Sequence, residues 1–131
     1  YAVPDVRMLT TPKQLTGLGI PLDKTWIIGT KNFGYNTGFF YKKKKRGDYF
    51  NQRTVLVDGY LERNEKMKTI WGDRYLDIIG SIVDDKGTVP VFTDRQKFIS
   101  QDTWHFTKGG AIFFSQIFEE KIKVLLLTDQ Q

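Results

Sequence analysis

The sequence predicts an α/β fold, a three-layer arrangement with a parallel sheet and flanking helices. Strand-like and helix-like stretches alternate along the chain, as layered α/β domains require. The first strand candidate, Thr25-Trp26-Ile27-Ile28, is a brief apolar run that stops at Gly29. Consecutive rather than alternating apolar positions suit a strand buried on both faces. The chain has 131 residues, of which 40% are hydrophobic, 15% aromatic and 27% charged. That is a globular balance, and a chain near this size buries roughly two-thirds of its unfolded surface. One domain spanning residues 1–131, or the C-terminal part of one, accounts for the length, and no repeat or linker divides it.

Each element has its own signal. Thr11-Pro12 predicts a short helix with Thr11 as its cap and Pro12 in the first turn, ending near Gly17 or Gly19. After the Trp26–Ile28 strand, residues 29–50 hold Gly29, Gly34, Gly38 and Gly47 with Asn32 and Asn36, the composition of a long loop. Val55 to Trp71 carries an imperfect helical stripe of Val55, Leu56, Tyr60, Leu61, Met67, Ile70 and Trp71, with Gly72 as the stop. Tyr75 to Val83 is apolar and β-branched, and predicts a second strand closed by the turn Asp84-Asp85-Lys86-Gly87. Val89, Val91 and Phe92 enclose Pro90, which places that piece at a sheet edge or outside a sheet. A helix is expected from Thr107 or Lys108 to Ile122, and Val124 to Leu127 suits a final strand.

The formal net charge is +5, and much of the excess sits in Lys42-Lys43-Lys44-Lys45-Arg46. The rest of the chain is close to neutral, so the broad basic field of a dedicated nucleic-acid binder is missing. Phe39, Phe40, Tyr41, Tyr49 and Phe50 flank the run, and aromatics beside cations can stack bases or sugars and meet anions. The simplest reading of the run is a solvated loop between Gly38 and Gly47. Arg46-Gly47-Asp48 is an adhesion tripeptide by chance. There is no cysteine, which excludes a disulfide scaffold, a thiolate metal site and a cysteine nucleophile. With one histidine and no carboxylate cluster at ligand spacing, no metal or other cofactor is expected. No apolar run approaches the roughly 20 residues that cross a bilayer as a helix.

The chemistry concentrates around His105. A lone histidine is more often structural, but Asp102 lies three residues before it in a polar loop ahead of a helix. A carboxylate at that spacing can receive the Nδ1 proton, fix one tautomer and leave Nε2 to act as general base. Asp-x-x-His also arises by chance, and the plainer alternative is that Thr107 or Asp102 merely caps the last helix. Upstream, the strand ends in Gly29-Thr30-Lys31-Asn32, which offers an amide donor at Asn32, with Asn36 as its nearby substitute. Turn formation explains either asparagine equally well.

Taken together, Asp102-x-x-His105-x-Thr107-x-x-Gly110-Ala111 resembles the C-terminal catalytic block of SGNH-type esterases and acyltransferases. The likeness is nearest to the SGNH-like domains that handle O-acyl groups on bacterial polysaccharides. It spans about Thr11 to Ile122 and includes the strand followed by Gly-x-x-Asn. The resemblance implies an SGNH or flavodoxin-like sheet, with His105 as general base, Asp102 as its orienter and Asn32 as an oxyanion donor. It also implies a glycan or other acylated substrate, bordered by Asn36, Tyr35 and Trp104.

The family's early Gly-Asp-Ser nucleophile block has no counterpart here. The serines are Ser81, Ser100 and Ser115, and none follows a strand in the N-terminal region. The expectation is therefore the C-terminal half of such a domain, stable only with its missing half or a partner chain. Two functions compete. One is a serine esterase or O-acyltransferase whose nucleophile comes from an upstream segment. The other is a non-catalytic carbohydrate- or anion-binding module. Nucleic-acid binding through the basic run ranks below both.

Overall fold

The computed structural model describes residues 6–34, 40, 42 and 47–128, and within them short strands and helices are mixed. In chain order these are α1 (Val6–Gly17), β1 (Ile27–Ile28), β2 (Arg53–Val55), α2 (Tyr60–Trp71), β3 (Tyr75–Leu76), β4 (Thr88–Pro90), α3 (Lys108–Ile117) and α4 (Glu119–Thr128). The content is mixed helix and strand, with small sheets. β1 and β3 pair in parallel, with Ile27 opposite Tyr75 and Ile28 opposite Leu76. β2 and β4 form a separate antiparallel pair, with Thr54 opposite Val89.

The main core gathers Tyr60, Leu76, Val89 and Phe114 from α2, β3, β4 and α3, with Phe33, Ile78, Ile79, Ile99 and Phe118 from the segments between elements. A second cluster, Met67, Trp71 and Tyr75, receives Leu9 and Leu15 of α1. That burial explains why the helix already includes Leu9, ahead of the expected start at Thr11. The helix has Pro12 inside it, and the lost ladder bond there is offset by the leucines packed on α2.

Other boundaries differ from the expectation for reasons of pairing and turn chemistry. The α2 stripe was expected from Val55, but Arg53–Val55 is a strand and the helix starts at Tyr60 after a left-handed Gly59. Arg53 holds that strand in place. Its guanidinium donates to the carbonyls of Ile82 and Thr88 at 2.9 and 2.7 Å and pairs with Asp84 at 2.8 Å. The strand expected from Tyr75 to Val83 ends at Leu76. Asp77 turns the chain by accepting the Gly80 N–H on Oδ1 at 2.8 Å, and Val83 N–H donates to the Ile79 carbonyl in a helical turn. Ile78 and Ile79 are therefore buried by a turn, not by a sheet.

The last helix breaks at the buried Phe118, and Val124 to Leu127 continues as α4 instead of a strand. Lys123 pairs with Glu119 and Glu120, both at 2.9 Å, at spacings that only a helix brings together. No helix among the described residues is long and apolar enough to cross a membrane.

A buried polar network ties the parallel pair to α2. The Tyr60 hydroxyl donates to the Thr30 carbonyl at 2.5 Å and lies 2.9 Å from the Thr30 hydroxyl. The Tyr75 hydroxyl donates to Asn64 Oδ1 at 2.8 Å, and Asn64 Nδ2 donates to Asp77 Oδ1 at 2.8 Å. Tyr60, Asn64 and Tyr75 are all buried, so each bond satisfies a group that water cannot reach.

Burial raises the Tyr75 hydroxyl to about 12, from 10.0, because the phenolate would lose its hydration there. The folded value lies above the unfolded one. The stability it contributes is complete below pH 10 and is lost as pH rises toward 12. Urea midpoints should fall between pH 9 and pH 11, and less steeply in Tyr75→Phe. At neutral pH that variant should lose about 1–3 kcal/mol, because Asn64 Oδ1 is left without its donor.

Candidate functional site

Residues 101–105 form a loop whose base is closed twice. Ser100 and Phe106 form an antiparallel bridge, and the Thr107 N–H donates to the Ile99 carbonyl at 3.0 Å. Thr107 then starts α3. Its hydroxyl accepts the Gly110 N–H at 3.0 Å and donates to the Phe98 carbonyl. Gly110 is required at that spot, since a Cβ there would lie 2.2 Å from the Ile99 carbonyl oxygen. Helix capping therefore belongs to Thr107, and Asp102 has another role.

Asp102 is fully engaged with its own loop. Oδ1 accepts the backbone N–H groups of Trp104 and His105 at 3.0 and 2.8 Å. Oδ2 meets His105 Nδ1 at 2.5 Å. Three donors on one carboxylate favour its ionised form. They hold Asp102 well below the ordinary carboxylate range, with the imidazole contributing most. The His105 side chain is 81% exposed, and no described residue hydrogen-bonds to Nε2. Sequence spacing alone places both partners, and the structure brings them together.

Asn32 comes from the other end of the fold. It is buried, and its Oδ1 accepts the Gly34 N–H at 3.0 Å. That bond fixes the amide's orientation, and Nδ2 makes no hydrogen bond to a described residue. Gly34 has φ +72°, and a Cβ there would lie 2.3 Å from Thr54 Oγ1, so only glycine completes this turn. The link to the Asp102 loop is main-chain. The Phe33 N–H donates to the Thr103 carbonyl at 3.1 Å. Phe33, Phe106 and Phe114 stack beneath it, with ring centres 4.9–6.1 Å apart. Lys31 Nζ lies 4.7 Å from the Phe106 ring centre.

Trp104 is 45% exposed and adjoins His105 in the loop. Tyr35 and Asn36, with most of the basic run, lie outside the described residues. Thr103 had no signal in the sequence. It adopts φ +70°, a conformation non-glycine residues seldom take, and carries the carbonyl that receives Phe33.

None of the serines is bonded to His105. Ser81 and Ser115 donate to the carbonyls of Ile78 and Ile112, three residues back in each case. Ser100 Oγ is buried without a partner. The described residues contain no group of three or more acidic, histidine or cysteine side chains able to hold a metal ion. A groove of about 480 Å³ lies between the 93–98 segment and α3 and includes neither Asp102 nor His105.

Compared with family models, curated proteins and solved structures, the chain matches none.

Because the folded Asp102 value is depressed below 3.8, its support for the loop is present above that pH and is lost only as pH falls further. In a carboxyl-carbon NMR titration Asp102 should still be ionised at about pH 3, where an unperturbed aspartate is mostly protonated. Asp102→Ala should speed amide exchange at Trp104 and His105 by about tenfold or more, as their acceptor is gone. Thr107→Ala should cost about 1–2 kcal/mol in urea unfolding through loss of the cap.

Proposed function

We propose that this chain supplies the general-base half of a serine esterase or O-acyltransferase acting on acyl esters of a glycan. The observation that carries the reading is the Asp102–His105 pair, with Nδ1 held at 2.5 Å and Nε2 open to an incoming hydroxyl. In the reaction, Nε2 takes the proton of a serine hydroxyl as its oxygen bonds to the ester carbonyl carbon. The carbonyl electron pair moves to oxygen, and the Asn32 amide donates to that oxyanion. The carbon–oxygen bond to the leaving alcohol then breaks, and His105 returns the proton to the alcohol. Water or an acceptor hydroxyl repeats the two steps on the acyl-serine.

The serine comes from outside these 131 residues in this reading, since the three serines here are bonded elsewhere or buried. The β1–β3 pair is then part of a three-layer parallel SGNH-type sheet whose other strands lie in the same outside segment. Exposure of Ile28 supports this. At 62% it is unusual for a parallel strand, which is normally covered on both faces.

A second reading, a non-catalytic carbohydrate- or anion-binding module, is favoured by the lack of any serine bonded to His105.

The test is release of acetate from an O-acetylated glycan, or of nitrophenol from nitrophenyl acetate, by the chain in its native sequence context. His105→Ala should lower kcat by about 10²–10⁴-fold. Asn32→Ala should lower it by about 10²–10³-fold with little change in KM, since its bond strengthens only at the transition state. Undiminished turnover in His105→Ala would end the esterase reading. Glycan binding without turnover in the unaltered protein would establish the second.

A further inference from the structure

The groove against α3 carries chemistry unrelated to the Asp102–His105 pair. Its floor is apolar, made by Phe98, Ile112 and Phe113. Its rim holds Arg95, Lys97 and Lys108, with Asp94 as the one acid. None of the three cations has an ion-pair partner among the described residues, so their charge is free to meet a ligand in the groove. Asp94 Oδ1 is turned to its neighbour's backbone, accepting the Arg95 N–H at 2.9 Å.

Two independent elements build this rim. Arg95 and Lys97 sit on a tight hairpin in which Thr93 N–H donates to the Lys97 carbonyl at 2.8 Å and Gln96 takes φ +57°. That is a three-residue hairpin loop with a left-handed third residue, a rigid turn type. Lys108 comes from the first turn of α3, whose positive dipole end adds to the same field. The two elements meet at Gly109, where a Cβ would lie 2.7 Å from Lys97 Cβ, so the lysine stem rests on the helix backbone. At about 480 Å³ the groove falls in the range of small-molecule sites, roughly 300–1,000 Å³.

We infer that this groove binds a small amphipathic anion, an apolar tail ending in a single carboxylate or phosphate. The tail lies on Phe98, Ile112 and Phe113, and the head is met by Arg95, Lys97 and Lys108. Charge complementarity selects this occupant. An apolar ligand would leave three cations unmatched, and a cation would be repelled. The inference does not rest on the esterase reading, because no group of the pair lines the groove.

The test is titration of the chain in its native sequence context with decanoate, decyltrimethylammonium and inorganic phosphate, read by calorimetry and by backbone amide shifts. Decanoate should saturate at one site, shift the amides of residues 94–98 and 108–113, and bind at least about tenfold more tightly than the cation of equal tail length. Phosphate alone should not saturate over the same range. Lys97→Glu with Lys108→Glu should weaken decanoate by about tenfold or more, and Ile112→Trp, which fills the groove, should abolish binding. Both substitutions are at exposed positions. Any of five results overturns the inference: no saturation, equal binding of the decyl cation, phosphate binding as tightly as decanoate, shifts confined to residues outside the groove, or indifference to the double charge reversal.

Discussion

The fold turns on one hydroxyl. Tyr60, the first residue of α2, reaches across to Thr30 and is bonded to both its carbonyl and its side chain. Thr30 lies two residues past the end of β1 and two residues ahead of Asn32. The bond therefore fixes where β1 stops and in which direction the Asn32 turn leaves. Tyr75 and Asn64 extend the same buried network to β3 and Asp77. A two-residue parallel ladder offers little cohesion on its own. These side-chain bonds, made where water cannot compete, keep it in register. The same network sets the turn at Asp77, which sends Ile78 and Ile79 into the core instead of along a sheet.

How much of this was legible in the sequence depended on whether a feature was local. The Asp102–His105 pair was legible because it closes over three residues and uses only its own backbone for support. Thr107 as a cap was legible for the same reason. The helical stripe to Trp71 and the stop at Gly72 were visible, but the start was not. Thr54 and Val55 are apolar enough to continue a helix, and only Val89 and Thr88, more than thirty residues on, make them a strand. The run from Tyr75 to Val83 shows the converse. β-Branched apolar residues signal burial, and whether a sheet or a turn buries them was decided by Asp77 accepting the Gly80 N–H. Asn32 had the right composition around it, yet its link to the pair is a main-chain bond between Phe33 and Thr103. No side-chain pattern could announce that.

The electrostatics of the chain divide along the same lines. Lys66 on α2 and Lys123 on α4 pair with acids one helical turn away. Asp84 is occupied by Thr88 and Arg53 and marks a structural corner. The Asp102–His105 loop and the cationic rim over the groove both adjoin the start of α3. Gly109 and Gly110 allow the hairpin and the segment at Ile99 to close on the helix backbone.

Thr103 joins the Asp102 loop to the turn that follows β1 through one main-chain bond. A left-handed threonine costs roughly 1–2 kcal/mol relative to an extended one. That cost has to be offset by what the conformation permits. Here it permits the Asp102 carboxylate to gather the Trp104 and His105 N–H groups, while the Thr103 carbonyl turns out to receive Phe33. The loop is closed at Ser100 and Phe106, so the one left-handed residue inside it serves the Asp102 turn and the bond to Phe33 together.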